Sequence, residues 1–143
     1  MISPLVLLVD DEVPFVETMT KRLSKRELMV LPAYSGREAL EKLEKNGVDV
    51  VILDVKMPGM DGIETLREIK KIHPLVEVIM LTGHATVETA VEGMRLGAFD
   101  YLMKPCEIEE LLAKVAEAKE KKSKHEQKIM DARMKEITLR RGM

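Results

Sequence analysis

Residues 5–12 of this chain read LVLLVDDE, a continuous apolar run that ends abruptly in three acids. Four more apolar runs rich in β-branched residues follow, at residues 29–33, 48–53, 76–81 and 99–103. Continuous apolar runs of this length are typical of strands that are buried on both faces of a parallel sheet. The sequence therefore predicts five such strands.

Helical patterns separate the five runs. Apolar residues recur at intervals of three and four within residues 15–23, 39–43, 63–69, 87–94 and 108–115. Ser35-Gly36 opens the second helix, Asn46-Gly47 closes it, and His73-Pro74 ends the third. Strands that alternate with helices predict right-handed βαβ units, and hence an α/β fold with a doubly wound parallel sheet.

The composition is that of one globular domain with a charged extension. The chain has 143 residues, of which 45% are hydrophobic and 34% charged. Residues 119–141 hold nine Lys/Arg and four Asp/Glu, a net charge of +5, whereas the whole chain carries −2 and the remainder therefore −7. Apolar residues return at helical spacing between 129 and 137. We expect one domain over residues 1–120 and a charged helical extension over 121–143.

Charge and hydropathy argue against several functions. A net charge of −2 does not favour direct nucleic acid binding, which needs a basic surface. The short apolar run near the N-terminus leads straight into acids, so neither a signal peptide nor a membrane span is expected. The single cysteine, Cys106, fits a reducing cytoplasm, and we predict that it is a small buried side chain.

Acidic residues stand where predicted strands end. Asp10 and Asp11 follow the first strand and Asp54 follows the third. Ligands of open α/β sheets bind outside the carboxyl ends of the strands, where the winding reverses, so these acids converge if the strand order is 2-1-3-4-5. Converging carboxylates repel one another, and an all-oxygen group suits Mg²⁺ better than zinc. We therefore predict a Mg²⁺ site formed by Asp10, Asp11 and Asp54.

Residues at the ends of two more strands indicate which reaction this site could support. A carboxylate can accept a phosphoryl group when a metal ion and a lysine neutralise the charge on the equatorial oxygens. Asp54 is the predicted nucleophile because it stands alone beside the glycine-rich turn at residues 58–62. Lys104, after the fifth strand, can supply the ammonium, and Thr82, after the fourth, can supply a hydroxyl donor.

Taken together, these segments resemble the receiver domain of two-component response regulators, over roughly residues 4–120. The resemblance is carried by LVLLVDDE at residues 5–12, VILDVKMPGMDG at 51–62, LTGH at 81–84 and YLMKP at 101–105. It implies a flavodoxin-like (βα)5 fold with strand order 2-1-3-4-5. It also implies that Asp54 takes a phosphoryl group from a sensor histidine kinase or a phosphotransfer protein. No enzymatic activity is expected beyond assistance to its own phosphorylation and dephosphorylation.

The resemblance also implies how the metal is held. Asp11, Asp54 and the backbone carbonyl of Lys56 are the implied Mg²⁺ ligands, and Asp10 is expected to act partly through water.

A second set of implied features concerns the switch. The bond between Lys104 and Pro105 is expected to be a cis peptide that directs the ammonium to the phosphoryl group. Thr82 and Tyr101 match the family's switch pair. Their coupled rearrangement would reshape the surface of the fourth helix, the fifth strand and the fifth helix, through a two-state equilibrium that phosphorylation biases.

The segment at residues 81–91 is most similar to receivers of nitrogen-regulation-type enhancer-binding activators. Those proteins carry an ATPase and a DNA-binding domain after the receiver, and this chain does not. It therefore resembles either a stand-alone receiver or a receiver cut from a longer protein. A downstream protein is the expected partner, through the switch surface or the C-terminal extension, and a homodimer is a further assembly that such receivers form.

Two other functions share part of this pattern. A Mg²⁺-dependent phosphatase with an aspartyl-phosphate intermediate would usually pair its acids as Asp-x-Asp and add a cap domain, whereas Asp10 and Asp11 are adjacent. A flavodoxin-like cofactor binder would need aromatic partners for the flavin, but aromatic residues are only 3% of the chain. Repeated turnover of phosphate monoesters would favour the first alternative, and flavin absorbance the second.

Overall fold

The computed structural model describes residues 3–142, which form five strands and five helices in strict alternation. The strands are β1 (Leu5–Val9), β2 (Met29–Ala33), β3 (Val50–Leu53), β4 (Glu77–Thr82) and β5 (Asp100–Met103). The helices are α1 (Val13–Ser24), α2 (Gly36–Lys45), α3 (Gly62–Ile72), α4 (Val87–Arg95) and α5 (Ile108–Gly142). The predicted domain ranges also include residues 1, 2 and 143, which lie outside the described residues.

All strand pairs are parallel, in the order β2-β1-β3-β4-β5. This order confirms the predicted flavodoxin-like sheet. In the centre, Val9 of β1 lies opposite Ala33 of β2 and Leu53 of β3. The Asp54 N–H donates to the Val9 carbonyl at 3.0 Å. Asp10 and Asp54 therefore lie side by side at the carboxyl ends of β1 and β3. The winding of the sheet reverses between these two strands, and ligands of such sheets bind there.

The two faces of the sheet bury two separate apolar clusters. Successive residues of a strand point to opposite faces. Leu7 and Val51 contribute to the cluster that α2 and α3 cover, whereas Val6 and Ile52 contribute to the cluster that α1 and α5 cover. Because both faces are covered, β3 is buried along its whole length. This explains why the strands appear in the sequence as continuous apolar runs.

Three strands begin one or two residues later than their apolar runs predict. Val48 and Val76 are buried but precede the strands β3 and β4. Asp49 stands between Val48 and β3, whereas Val76 directly precedes Glu77, the first residue of β4. The Asp49 carboxylate accepts a hydrogen bond from the Leu5 N–H at 2.9 Å. Hydrophobic burial thus extends beyond the hydrogen-bonded ladder, and apolar content alone overestimates strand length.

The apolar spacing at residues 87–94 locates α4 correctly, but the residues that define it face solvent. Val87 is 81% exposed, Val91 44% and Met94 48%. Gly93 is the buried residue of this helix. Periodicity therefore identified the helix without identifying its inner face, and α4 presents an apolar face outward.

The prediction for Cys106 is wrong, because this residue is only partly buried. It lies in the loop between β5 and α5 and packs against the edge of the apolar cluster that α1 and α5 cover.

The last helix continues far beyond the body of the domain, as predicted. Its residues Ile108, Leu111, Val115 and Ala118 are buried, whereas every residue from 126 to 142 is exposed. Within residues 3–142, no helix combines the length and the apolar character needed to cross a membrane.

Candidate functional site

Two buried carboxylates meet at the carboxyl ends of β1 and β3. Asp10 is 1% exposed and Asp54 is 2% exposed. Local backbone hydrogen bonds orient both, because Asp10 Oδ1 accepts from the Glu12 N–H and Asp54 Oδ1 from the Val55 N–H, each at 2.9 Å. Burying two neighbouring acids is costly unless cations compensate them. This edge of the sheet is therefore a candidate cation site.

A third carboxylate joins the two buried ones. Asp10, Glu12 and Asp54 offer carboxylate oxygens that all lie within 4.8 Å of one another. Asp11, a predicted ligand, is not in this group and lines the adjoining cavity instead. A donor set made of oxygen alone, with two of its members buried, fits Mg²⁺. Glu12 was not among the predicted ligands, although its place in the acidic run at residues 10–12 was a usable signal.

Lys104 reaches from the end of β5 onto these acids. Its Nζ is 2.7 Å from Asp10 Oδ2 and 3.4 Å from Glu12 Oε1. Burial alone would lower the pKa of Lys104, but the contact with Asp10 and the charges of Asp54 and Glu12 outweigh it and raise the pKa. The ammonium therefore stays protonated beside the carboxylates.

The surroundings of Lys104 fix its position further. Its backbone N–H donates to the Thr82 carbonyl at 2.9 Å, which joins the ends of β4 and β5, and its peptide bond to Pro105 is cis. Its Nζ lies 3.9 Å from the centre of the Phe15 ring, a favourable place for a cation. Phe15 was not predicted as a site residue, because its spacing indicated only the inner face of the first helix.

The pKa of Asp54 is raised. Burial is the largest cause and the charge of Asp10 adds to it, whereas the Thr82 hydroxyl, the Lys104 ammonium and the Val55 N–H lower the pKa. The negative charge of Asp54 is therefore only partly neutralised by the protein's own groups. A cation or an electrophile next to this carboxylate would relieve the imbalance.

The first residue of α3, Gly62, packs closely against the backbone of Asp54. The Gly62 N–H donates to the Val55 carbonyl at 2.7 Å, and a Cβ at Gly62 would lie 2.0 Å from the Asp54 carbonyl oxygen. Only glycine permits this approach. The Asp61 side chain caps the helix by accepting from the Glu64 N–H at 2.9 Å. The turn after β3 thus holds the backbone of Asp54 in place.

The acids open onto a cavity of about 390 Å³. Its lining comes from the loops that follow β1, β3 and β4: Asp11, Glu12, Asp54, Lys56, Met57, Pro58 and His84. Lys56 and His84 are exposed. A small ligand can therefore approach Asp54 from solvent through this cavity.

Thr82 and Tyr101 lie on the neighbouring strands β4 and β5. Thr82 is fully buried, and its Oγ1 accepts from the His84 N–H at 3.0 Å. Tyr101 is half-buried, and its hydroxyl is 2.7 Å from Thr89 Oγ1 on α4. The structure brings Thr82 to Asp54, whereas the hydroxyl of Tyr101 is directed toward α4.

Residues 6–116 match the response regulator receiver domain family. The chain belongs to this family. The matched range contains every site residue described above, from Asp10 to Lys104. The protein is therefore a receiver domain of a two-component response regulator, as its sequence motifs suggested.

Its relatives include transcriptional regulators. The transcriptional regulatory protein ZraR of Escherichia coli is 41% identical over 113 residues, which cover 79% of this chain and 26% of ZraR. The DNA-binding transcriptional regulator NtrC of the same organism is 39% identical over 114 residues, which cover 80% of this chain and 24% of NtrC. The receiver thus spans about a quarter of the length of these relatives. Both are activators of the NtrC type, which confirms the similarity seen in the sequence.

A solved structure supports the fold. A response regulator receiver domain from Clostridium thermocellum shares 38% identity with a TM-score of 0.80, covering 84% of this chain and 97% of that chain. Receiver domains bind Mg²⁺ at an acidic pocket, interact with histidine kinases and downstream effectors, and are generally non-enzymatic signalling domains. In this receiver, Asp10, Glu12 and Asp54 form an acidic group that could hold a metal.

Proposed function

We propose that this receiver takes a phosphoryl group onto Asp54 from the phosphohistidine of a sensor histidine kinase or of a phosphotransfer protein. One observation carries the proposal: a buried Asp54 with a raised pKa stands beside Asp10 and Lys104 and opens onto a cavity. A carboxylate in this setting is accessible, and its charge is only partly neutralised. Both properties suit a nucleophile toward a phosphoryl group.

In the reaction, a carboxylate oxygen of Asp54 attacks phosphorus. A P–O bond forms, the P–N bond of the phosphohistidine breaks, and the imidazole leaves with the electron pair. The charge on the three equatorial oxygens has to be neutralised during the transfer. The Lys104 ammonium, 2.7 Å from Asp10 in the unphosphorylated chain, can turn to one of these oxygens, and the Thr82 hydroxyl can donate to another. Later attack by water would release inorganic phosphate and restore the carboxylate.

Mg²⁺ is the proposed cofactor. Asp10, Asp11, Asp54 and the backbone carbonyl of Lys56 would hold it, and the Glu12 carboxylate lies close enough to Asp10 and Asp54 to contribute. When bound, the ion supplies positive charge next to the phosphoryl oxygens. The residues fit it because Asp10 and Asp54 are both buried, and the Lys104 ammonium, which pairs with Asp10, leaves the charge of Asp54 only partly neutralised.

The output surface is proposed to be formed by α4, β5 and α5. A rearrangement of Thr82 and Tyr101 on phosphorylation would reshape it, provided the phosphoryl group favours one state by a few kcal/mol. Apolar side chains are exposed here before any partner binds: Val87 and Val91 on α4, and Met103, which is 65% exposed, on β5. Exposed apolar groups of this kind suit docking of a downstream protein or of a second receiver.

We propose that residues 1–120 act as the receiver and residues 121–143 as an extension that also contacts partners. The chain covers 26% of ZraR, and we infer that this receiver either works alone or is a receiver cut from a longer activator. Its single cysteine suits a cytoplasmic protein, and we propose no direct contact with nucleic acid or membrane.

Acetyl phosphate tests the proposal. With Mg²⁺ present, we expect one phosphoryl group per chain, and we expect no labelling with a chelator or in Asp54→Asn. The matched control Asp131→Asn, in the exposed part of α5, should be labelled like the wild type. Labelling that persists in Asp54→Asn would contradict the proposal. Repeated turnover of phosphate monoesters would instead favour a phosphatase.

A further inference from the structure

Tyr101 is seated on one face of α4. Its hydroxyl is 2.7 Å from Thr89 Oγ1, and its ring atom Cδ2 is 3.6 Å from the position that a Cβ at Gly93 would take. Thr89 and Gly93 are four residues apart and therefore share a face of the helix. The hydroxyl at Thr89 holds one end of the tyrosine, and the ring lies over Gly93 at a distance that would still admit a Cβ.

The Thr89 hydroxyl also takes part in the N-terminal cap of α4. The Thr86 N–H donates to Thr89 Oγ1 at 3.2 Å, and the Thr89 N–H donates to Thr86 Oγ1 at 3.0 Å, so the two residues form a capping box. A threonine hydroxyl has one proton and two lone pairs. Thr89 Oγ1 can accept from Thr86 and from Tyr101, while its proton goes to the Thr86 hydroxyl or carbonyl, at 2.9 and 3.2 Å. The hydrogen bonds of a single atom, Thr89 Oγ1, thus serve both the helix cap and the tyrosine.

The capped turn follows Thr82 closely in the chain. Thr82 Oγ1 accepts from the His84 N–H at 3.0 Å, so the buried hydroxyl beside Asp54 also fixes the loop that leads to Thr86. If rotation of the Thr82 side chain carries its oxygen toward a phosphoryl group, the hydrogen bond from the His84 N–H breaks. The loop then transmits the change to the Thr86 cap, and through Thr89 to Tyr101.

We propose that Thr89 is the positioning residue for Tyr101: its hydroxyl holds the tyrosine against α4 and makes the tyrosine's position depend on the α4 N-cap. This inference rests on the proposed switch role of Thr82 and Tyr101. It goes further, because a residue outside that pair determines where the tyrosine lies before phosphorylation. Thr89 does not line the cavity at Asp54, so its substitution removes none of the reacting groups.

Fluorine NMR tests the positioning role. The sequence has two tyrosines, so a Tyr34→Phe chain labelled with 3-fluorotyrosine reports on Tyr101 alone. Thr89→Val keeps the shape and removes the hydroxyl, and we expect the resonance to move toward its position in the urea-unfolded chain. Thr89→Ser keeps the hydroxyl and should restore the wild-type resonance. Thr86→Ala disturbs the cap but keeps the Thr89–Tyr101 pair, so we expect it to move the resonance in the same direction but less far; an unchanged resonance in Thr89→Val would overturn the inference.

A double-mutant cycle gives an independent measure. Thr89→Val and Tyr101→Phe remove the same hydrogen bond from its two sides. We expect their effects on the unfolding equilibrium constant to be non-additive by about fivefold, or about 1 kcal/mol. Additive effects would overturn the inference.

Acetyl phosphate with Mg²⁺ then separates this inference from the proposed function. Absence of labelling at Asp54 in the wild type would refute the proposed function, while the cycle in the unphosphorylated chain still decides the role of Thr89. When Asp54 is labelled, we expect a smaller shift of the Tyr101 resonance in Thr89→Val than in the wild type. Equal shifts would contradict coupling through Thr89.

Discussion

Single residues at the site carry charge that the fold does not fully neutralise. Asp10 has the Lys104 ammonium at 2.7 Å, whereas the pKa of Asp54 is raised chiefly by burial. Removing the charge at these two positions should therefore have opposite effects on stability, although both side chains are buried acids.

We expect Asp54→Asn to stabilise the Mg²⁺-free protein by roughly 1 kcal/mol, because it removes a poorly compensated buried charge. Asp10→Asn should destabilise it, because Lys104 then loses its closest partner. Urea unfolding with a chelator present measures both. A loss of stability in Asp54→Asn would contradict this account of the charges.

Two helical glycines form a second matched pair. A Cβ at Gly62 would lie 2.0 Å from the Asp54 carbonyl oxygen, whereas at Gly93 the nearest atom, Tyr101 Cδ2, would be 3.6 Å away. We expect Gly62→Ala to destabilise the protein by about 3 kcal/mol or more, because backbone must move. Gly93→Ala should stabilise it by about 1 kcal/mol through helix propensity. Similar changes in urea unfolding for both variants would show that the close approach at Gly62 is unimportant.

Most residues of the candidate site could be predicted because each follows an apolar run at the end of a strand. Asp10, Asp54, Thr82 and Lys104 are of this kind, and parallel strands bring such ends to one edge. Glu12 could not be assigned in this way. Its place in the acidic group depends on the fold of the first loop, where its N–H donates to the Asp10 carboxylate at 2.9 Å.

Helix α5 is held by ion pairs at the amino ends of β3 and β4, on the side of the sheet away from the candidate site. Lys119 and Lys122 place their Nζ atoms 2.9 and 3.3 Å from Asp49 Oδ1, just before β3. Lys121 Nζ is 3.6 Å from Glu77 Oε2 at the start of β4, where the Glu77 side chain is 1% exposed. These contacts fix the direction in which the helix leaves the domain.

This anchorage should depend on pH through Asp49. Burial raises the pKa of Asp49, but the Leu5 N–H and the ammonium groups of Lys119 and Lys122 outweigh it, and the net pKa is lowered from 3.8. Ionised Asp49 therefore stabilises the fold above pH 3.8, and this contribution is lost as the pH falls through the lower folded value.

We expect Asp49→Asn to lower the free energy of unfolding by about 1 to 2 kcal/mol at neutral pH, and by progressively less in acid. Urea unfolding at several pH values measures this. Glu120→Gln is the control: it removes an exposed pair with Lys124, 3.1 Å apart, and should cost less than about 0.5 kcal/mol. An effect of Asp49→Asn that does not change with pH would refute the ionic anchorage.

Element type and order followed from periodicity, but the inner face of α4 did not. Its spacing of apolar residues indicates a face with Val87, Val91 and Met94, which the structure leaves exposed. The buried position is Gly93, which has no side chain and contributes nothing to a hydrophobic pattern. An outward apolar face gives the same periodicity as an inward one.

In the molecule as a whole, one continuous helix, α5, joins the domain body to the C-terminal extension. Residues 126–142 are all exposed, whereas the lysines at 119, 121 and 122 contact the body. Contacts with the body therefore extend slightly beyond position 120, as far as Lys122. A net charge cannot reveal this, because it does not distinguish lysines that meet buried acids from lysines in solvent.

Two truncations test how far along α5 the contacts with the body extend. A chain that ends at Ser123 should unfold at the same urea concentration as the full chain. A chain that ends at Ala118 should be less stable by about 1 to 3 kcal/mol, because Asp49 loses both of its lysine partners and Glu77 loses Lys121. Equal stability of the two truncated chains would contradict the anchorage.

We propose that one carboxylate of this receiver, that of Asp54, carries the phosphoryl group. Borohydride reduction of the acetyl phosphate-treated protein, followed by peptide mass spectrometry, locates an acyl phosphate directly, because the phosphorylated aspartate is reduced to an alcohol. We predict modification at Asp54 alone, and only with Mg²⁺ present. Modification at Asp10 or Asp11, or at no aspartate, would contradict the assignment.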